Sequence, residues 1–316
     1  MKLSEVNVLL LELTNRCNGN CIMCWHSNKK PFGTWDIDDK LYGEIKEKLF
    51  KQIKILQPVG GGEIFLYSKF NEFIKDIKQY KFKTIITSNF ADITEEQKLL
   101  LKDMNVEFVV SIDGSYKQLQ EFLRPGCKYE TVIDNIKTFV GYGKKIILQT
   151  TVSNYNFYDM ANMLELAGKL KAFGVRFQSV QYLNHLDKPY KFEKPPKDWE
   201  YLRELNERKF NVKYNITLDY YVQEDNIPCL KTLHPLESYW GEFKNKFIHR
   251  YCPNTADILY VQGGRVLSCC LPESKVMGDL RQNSLEEIIG SKKYDENRKK
   301  CRCKLIEFSR RKLLCT

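Results

Sequence analysis

The sequence predicts an α/β fold, a partial (β/α)6 barrel of the TIM type followed by a small Cys-rich module of one hairpin and one helix. Strand-like and helix-like stretches alternate from residue 7 to residue 183. Most of the strand-like runs are almost continuously apolar, which is typical of parallel strands covered on both faces. The chain has 316 residues, enough for a barrel and an appendage, and six of its 11 cysteines lie between Cys252 and Cys315.

Six strands are predicted, and the segments between them have helical periodicity. The strands cover residues 7–14, 53–59, 83–88, 106–112, 145–152 and 175–183. Thr94 and Gln97 form a capping box that predicts a helix start. The stretch "MANMLELAGKLKAFG" predicts a sixth helix with Gly174 as its C-cap. Because crossovers between parallel strands are right-handed, six such units curl into an open barrel.

The composition divides the chain into three parts. Residues 1–183 form the predicted barrel, and residues 251–316 form the Cys-rich module. Between them, residues 184–250 are rich in Pro, Lys and aromatic side chains and are interpreted as a bridging region. Within that region we expect a helix around 197–209 and a strand around 212–222.

Several classes of protein are disfavoured by the sequence. No run approaches 18 apolar residues, and the N-terminal apolar run contains Glu12 and has no cleavage site after it. We therefore expect a cytoplasmic protein with no membrane partner. The net charge of +10 would attract phosphate, nucleic acid or an acidic peptide. The lysines are spread over helix faces without an aromatic-basic motif, so nucleic-acid binding is not favoured.

Three cysteines lie within eight residues, in "RCNGNCIMC". They are Cys17, Cys21 and Cys24. A structural zinc site would require four ligands, usually as paired CxxC motifs. Three thiolates suit a [4Fe–4S] cluster in which one iron keeps an open coordination site.

CxxxCxxC just after the first strand of a βα barrel resembles the radical S-adenosylmethionine (radical SAM) superfamily. The resemblance covers residues 7–183. It implies that Cys17, Cys21 and Cys24 hold a [4Fe–4S] cluster whose open iron is chelated by SAM. It also implies that an electron, from a donor such as flavodoxin or ferredoxin, cleaves SAM to a 5′-deoxyadenosyl radical that abstracts a substrate hydrogen.

Further motifs carry the same resemblance. "GGGEIFL" contains Gly61, Gly62 and Glu63, which match the family's GGE, and the resemblance implies that Glu63 accepts hydrogen bonds from the SAM ammonium. Met23 stands where the family usually has an aromatic residue and is expected to pack near the adenine.

Polar residues at the ends of later strands complete the expected SAM site. "TSN", with Ser88 and Asn89, ends the third strand, and "SIDG" ends the fourth. The resemblance assigns Ser111 to the SAM carboxylate or ribose, with Asp113 beside it, and pairs Arg124 with the carboxylate. The remaining ribose candidates are Gln149 and Thr151.

The C-terminal module resembles the SPASM and Twitch extensions of radical SAM enzymes, since Cys252, Gly264 and Cys269 have their opening spacing. That resemblance implies a second, auxiliary [4Fe–4S] cluster on four ligands: Cys252, Cys269, Cys301 and Cys303. A full SPASM module needs seven local cysteines, so the six found here favour the Twitch form with one cluster. Cys270 or Cys315 is a candidate to replace one of the four ligands. A zinc site in this module is the alternative. A hairpin is predicted with its turn at 262–265, and "SLEEIIG" predicts a short helix.

Several reactions remain open. We expect modification of a ribosomally made peptide by dehydrogenation, crosslinking or epimerisation. The aromatic residues and lysines of the bridging region favour an acidic peptide, whereas the first strand begins near Asn7 and leaves no room for a leader-binding domain ahead of it. The alternatives are a dehydrogenase or epimerase of a sugar or cyclitol, and a non-enzymatic metal-binding module. If the reaction is epimerisation, Cys229 or Cys270 is the expected catalytic hydrogen donor, with Cys127 a further candidate.

Overall fold

The computed structural model describes residues 2–24, 33–153, 155–179, 213–217, 258–268 and 274–300. Their strands are β1 (Val8–Glu12), β2 (Ile55–Pro58), β3 (Lys83–Ser88), β4 (Val106–Ser111), β5 (Lys145–Val152), β6 (Gly174–Ser179), β7 (Lys213–Thr217), β8 (Ile258–Gln262), β9 (Arg265–Leu267) and β10 (Val276–Asp279). They form one sheet in the order β10-β9-β8-β1-β2-β3-β4-β5-β6-β7. The pairings from β1 to β6 are all parallel, which confirms the predicted α/β class.

Helices connect the parallel strands. Between β1 and β6 these are α1 (Asp39–Leu49), α2 (Phe70–Ile77), α3 (Glu95–Lys102), α4 (Lys117–Leu123), α5 (Tyr129–Gly141) and α6 (Met160–Lys169), whereas α7 (Leu285–Gly290) and α8 (Lys292–Lys300) follow β10. The capping box of Thr94 and Gln97 is present at the start of α3. Within the described ranges, no helix is both long enough and apolar enough to cross a membrane.

The predicted C-cap of α6 is wrong. The helix ends at Lys169, and Gly174 is the first residue of β6. Lys171 takes the left-handed conformation with φ 55°, and the N–H of Ala172 donates to the carbonyl of Ala167. This is the hydrogen bonding of a Schellman ending, with a lysine in the position where glycine is commonest.

The sheet extends beyond six strands on both sides. β7 pairs in parallel with β6, at the place where a strand was expected around 212–222. β8 pairs in parallel with β1, and β9 and β10 follow it as antiparallel strands. The turn between β8 and β9 consists of Gly263 and Gly264, with φ of 51° and 87°, as the predicted hairpin requires. The hairpin therefore continues the barrel sheet.

Successive side chains of a strand point to opposite faces of the sheet, so each face has its own apolar core, and one face also carries polar side chains at both ends of its strands. The larger core lies between the sheet and the helices, and the smaller contains Val8, Leu10, Ile55, Ile85, Val109, Ile258, Tyr260 and Leu267. On the face of the smaller core, Glu107 forms ion pairs with Lys83 and Lys145 at the N-terminal ends of the strands. At the C-terminal ends the same face carries polar side chains: Glu12, Gln57, Thr87 and Ser111. Function in such barrels lies at the C-terminal end of the strands.

Candidate active site

The three-cysteine loop follows β1 and lies against the segment after α4. The N–H of Asn20 donates to the carbonyl of Pro125 at 2.7 Å, and that of Ile22 to Leu123 at 3.1 Å. Gly126 has φ 91°, and a Cβ there would lie 2.3 Å from the carbonyl oxygen of Asn18. Glycine is therefore required at this position both for its backbone conformation and for the close approach of the two segments.

Thiols surround the middle of this loop. A Cβ on Gly19 would lie 3.2 Å from the Sγ of Cys127, 3.3 Å from that of Cys21 and 3.7 Å from that of Cys17. Any side chain at Gly19 would press on these sulfur atoms. Cys24 follows in the next turn, where its N–H donates to the carbonyl of Cys21 at 3.0 Å.

Arg124 joins the Cys loop to the end of β4. Its Nε donates to Oδ2 of Asp113 at 2.5 Å, and its Nη1 lies 3.6 Å from the Sγ of Cys21. Asp113 is fully buried, and its Oδ1 accepts from the N–H of Thr151 at 2.6 Å. The structure pairs Asp113 and Arg124 with each other, and their assignment to SAM, which the family resemblance implied, stays a prediction.

The thiols have different electrostatic environments. The hydrogen bond with Cys127 and the nearby Arg124 guanidinium lower the pKa of the Cys21 thiol, against the effect of its burial. The Cys21 hydrogen bond and burial raise the pKa of Cys127. Burial raises the pKa of Cys17 to about 11. Negative charge is therefore favoured on Cys21 over Cys127.

The glycine-rich loop after β2 packs on the chain that enters the Cys loop. A Cβ on Gly62 would lie 2.4 Å from the carbonyl oxygen of Thr14 and 2.7 Å from that of Arg16. The N–H of Glu63 donates to the carbonyl of Arg16 at 2.6 Å, and that of Gly61 to Oε1 of Glu12 at 2.6 Å. The glycines thus permit the backbone contact that sets Glu63 beside the Cys loop.

Glu63 is buried and is held by the end of β3. Its Oε2 accepts from the N–H of Asn89 at 2.7 Å, and its Oε1 accepts from the N–H of Phe65 at 3.4 Å. Burial raises the pKa of Glu63 to about 7. Asn89 also donates from Nδ2 to Oδ1 of Asn18 at 2.7 Å. The "TSN" and GGE motifs therefore support the same carboxylate, and Asn89 ties it to the Cys loop.

Other predicted SAM contacts lie on the same rim. Ser111 ends β4 beside Gln149 of β5, and Arg176 of β6 donates to Oε1 of Gln149 at 2.9 Å. Thr151 follows on β5, and the half-buried Met23 lies in the Cys loop.

Several predicted residues lie outside the described part of the chain. They are the proposed hydrogen donors Cys229 and Cys270 and the proposed auxiliary ligands Cys252, Cys269, Cys301 and Cys303. The sequence analysis also missed the contact of Cys127 with Cys21. The sequence did contain a signal for this contact, because Cys127 lies three residues after Arg124, which was expected at the SAM site.

The side chains present suit an iron–sulfur cluster. A mononuclear zinc site needs all its thiolates within about 2.3 Å of a single point. A cluster takes each thiolate on a different iron, so its ligands are spread more widely. The thiols around Gly19, with Cys24 beside them, are such an all-sulfur set.

Comparison with known proteins agrees with this arrangement. Residues 11–167 match the family model described as the radical SAM superfamily, and residues 252–314 match that of SPASM, an iron–sulfur cluster-binding domain. A radical SAM domain binds a [4Fe–4S] cluster and SAM, and a SPASM domain binds auxiliary iron–sulfur clusters. The chain therefore belongs to the radical SAM superfamily. Within it, this is a protein with a C-terminal SPASM domain.

Individual relatives share this organisation at low identity. The antilisterial bacteriocin subtilosin biosynthesis protein AlbA of Bacillus subtilis (strain 168) is 24% identical over 287 residues, which are 89% of this chain and 58% of AlbA. The sporulation killing factor maturation protein SkfB of the same strain is 23% identical over 164 residues, 52% of this chain and 40% of SkfB. The chain thus spans less than two thirds of each of these curated relatives.

A solved structure shares the fold. The crystal structure of Streptococcus suis SuiB bound to precursor peptide SuiA has a TM-score of 0.68 at 16% identity, covering 97% of this chain and 71% of that chain. SuiB has also been solved bound to S-adenosylmethionine.

Proposed function

We propose that this protein is a radical SAM enzyme that modifies a ribosomally made peptide. The observation that carries the first part is the set of thiols around Gly19, beside the buried carboxylate of Glu63. The peptide is supported by the relatives, since one acts in bacteriocin biosynthesis, one in maturation of a killing factor, and SuiB binds a precursor peptide.

Each part of the described site has a task in this proposal. Cys17, Cys21 and Cys24 hold the cluster, and Glu63 holds the SAM ammonium. When bound, the cluster would supply the electron for cleavage of SAM, and with it radical chemistry directed at a substrate hydrogen. Arg124 fixes the Cys loop against β4 through Asp113. Ser111 and Gln149 offer polar groups to SAM or to the substrate at the rim.

The auxiliary module and the electron donor complete the proposal. We assign Cys252, Cys269, Cys301 and Cys303 to an auxiliary cluster, and flavodoxin or ferredoxin to the supply of electrons. If the enzyme epimerises, Cys229 or Cys270 returns the second hydrogen.

The test is SAM cleavage by the anaerobically reconstituted, reduced protein. The substrates are synthetic peptides encoded by short reading frames beside its gene, and simple sugars and cyclitols are compared with them. With the reactions run in deuterated water, so that epimerisation also changes the mass, the proposal predicts 5′-deoxyadenosine in all reactions and a mass change only in a peptide. A modified sugar or cyclitol would replace the peptide assignment, and no deoxyadenosine at all would contradict the radical chemistry.

A further inference from the structure

Glu12 carries a buried carboxyl group to which the proposed function gives no task. It is the last residue of β1, and only 2% of it is exposed. Its Oε1 accepts from the N–H of Gly61 at 2.6 Å, whereas its Oε2 is buried and has no hydrogen-bond partner among the described residues. Because leaving a buried carboxylate oxygen without a partner is costly, this atom calls for an explanation.

The glycine-rich loop after β2 fixes the Glu12 side chain in place. A Cβ on Gly60 would lie 2.1 Å from the Cγ of Glu12 and 2.3 Å from its Cδ. Gly60 therefore leaves open the space that this side chain occupies, and the N–H of Gly61 holds one of the two oxygens. The position of the other oxygen is thus determined by two backbone segments, so the group is preorganised for a ligand.

Glu12 belongs to the polar side chains at the C-terminal ends of the strands. Strand alternation places it on the face of the smaller core, which is the face away from the helices. Gln262 stands opposite it on β8, and on β2 the Nε2 of Gln57 donates to the Oγ1 of Thr87 at 3.4 Å. Function in such barrels lies at this end of the strands, so Oε2 of Glu12 is on the side where a substrate binds.

A hydrogen-bond donor is the partner that this oxygen requires, because a carboxylate only accepts hydrogen bonds. The net charge of +10 attracts an acidic peptide and repels one that is rich in lysine and arginine. The donor expected from such a peptide is therefore a backbone N–H. The carboxamides of Gln57 and Gln262, on the strands to either side of β1, suit the same partner, since an amide can both donate to and accept from a peptide backbone.

We propose that Glu12 is a substrate-binding residue, whose Oε2 accepts a hydrogen bond from a backbone N–H of the peptide that the enzyme modifies. This inference rests on the proposed function, since it takes the substrate to be a peptide. SAM is assigned to a different carboxylate, that of Glu63. Glu12 therefore affects the binding of the peptide and not the binding of SAM.

The experiment measures the peptide affinity of the reconstituted, unreduced holoenzyme with SAM bound, at pH 8, where Glu12 with its pKa of about 7 is mainly a carboxylate. The probe is the synthetic peptide that changes in mass in the SAM-cleavage test, labelled for fluorescence anisotropy. In Glu12→Gln the single amide oxygen accepts from Gly61, so the NH2 group takes the place of Oε2 and a donor replaces the acceptor. We expect a loss of peptide affinity of roughly ten- to a hundredfold, with SAM affinity and the free energy of unfolding not reduced.

The matched control is Glu107→Gln. Glu107 also has a buried Oε2 without a hydrogen-bond partner among the described residues, and it lies on the same face of the sheet. It stands at the N-terminal ends of the strands, however, where it pairs with Lys83 and Lys145. Glu107→Gln should therefore bind the peptide with the affinity of the wild type.

A second arm identifies the donor on the peptide. In a set of peptides, one backbone N–H at a time is replaced by N–CH3. At one position the wild type should lose more affinity than Glu12→Gln does, because the variant has already lost the hydrogen bond that methylation removes.

Four results would overturn the proposal. Equal peptide affinities of the wild type and Glu12→Gln would show that Oε2 does not accept from the peptide. Equal losses in Glu12→Gln and Glu107→Gln, or a loss of SAM affinity or unfolding free energy in Glu12→Gln, would show that its role is structural. A methylation set without a position that depends on Glu12 would show that the donor is not a backbone N–H. A wild type that neither binds nor modifies any of the peptides would contradict the proposed function itself, and this inference with it.

Discussion

Arg124 and Asp113 form a buried ion pair, with Nε 2.5 Å from Oδ2, and the same guanidinium reaches the sulfur of Cys21. Asp113 also accepts from the N–H of Thr151 on β5. One pair of side chains therefore ties the Cys loop to two strands of the barrel. Because loops move more than strands, this link holds the first three cysteines in a fixed position relative to the C-terminal ends of the strands.

Breaking this ion pair should lower both the free energy of unfolding and the amount of cluster bound. Asp113→Asn leaves the Arg124 charge buried without its carboxylate, which is expected to lower the free energy of unfolding by about 3 kcal/mol. Denaturant unfolding and iron content after reconstitution measure the two effects. The control is Glu130→Gln, which breaks the exposed pair with Lys117 and should leave both unchanged. Equal losses in the two variants would show that the buried pair has no special role.

Glu63→Gln should weaken SAM binding while the first cluster stays intact. Gln keeps an oxygen for the N–H of Asn89 but loses the charge that attracts the SAM ammonium. A charge-assisted hydrogen bond of about 1.5–3 kcal/mol corresponds to a loss of affinity of roughly ten- to a hundredfold. Equilibrium dialysis with SAM measures it. Glu12→Gln, at the neighbouring buried carboxylate, is the matched control, and equal affinities for Glu63→Gln and the wild type would remove Glu63 from the SAM site.

Gly126→Ala should disturb the Cys loop, because its Cβ would meet the carbonyl of Asn18 at 2.3 Å. Gly143→Ala is the matched control, since Gly143 also has a positive φ, of 73°, but nothing within 4 Å of the added Cβ. We expect Gly126→Ala to lower the iron content and the melting temperature by more than Gly143→Ala. Similar effects would mean that the backbone strain alone, and not the loop contact, is responsible.

Glu12 should make stability depend on pH. Burial raises its pKa from 4.5 to about 7 in the folded chain, so the folded state holds a proton that the unfolded state releases earlier. Stability from this group is complete below about pH 4.5 and is lost as the pH rises through 7, by up to about 3 kcal/mol.

The comparison of wild type with Glu12→Gln isolates this effect. Unfolding free energies are measured from pH 4.5 to 8, and the advantage of the Gln variant should grow across that range. Glu63 titrates in both proteins, so its contribution cancels in the difference between their unfolding free energies. A constant difference would show that Glu12 keeps its ordinary pKa.

The barrel could be predicted from the sequence because its signals are local. The six apolar runs mark strands β1 to β6, and the capping box at Thr94 marks the start of α3. The pairing of β8 with β1 could not be predicted, since it joins residues about 250 positions apart whose pattern is equally consistent with a separate hairpin. The end of α6 was mistaken because Lys171 takes a conformation in which glycine was expected.

At the site, motifs identified the residues but not their partners. Cys17, Cys21 and Cys24 were singled out by their spacing and Glu63 by its resemblance to the family's GGE motif, and their roles stay predictions. That Asp113 faces Arg124, and that Cys127 faces Cys21, depends on how the segment after α4 folds back on the Cys loop. This path of the backbone depends on the positive φ of Gly126, and no short sequence motif indicates a positive φ at that position.

The most direct test of the account is the electron paramagnetic resonance (EPR) spectrum of the reduced, reconstituted protein with and without SAM. The account predicts that SAM changes the signal of one cluster. It also predicts that replacing Cys17, Cys21 and Cys24 by Ala removes that response and about half of the iron, as one of two four-iron clusters is lost. A spectrum that SAM does not change, or a triple variant that keeps all its iron, would contradict it.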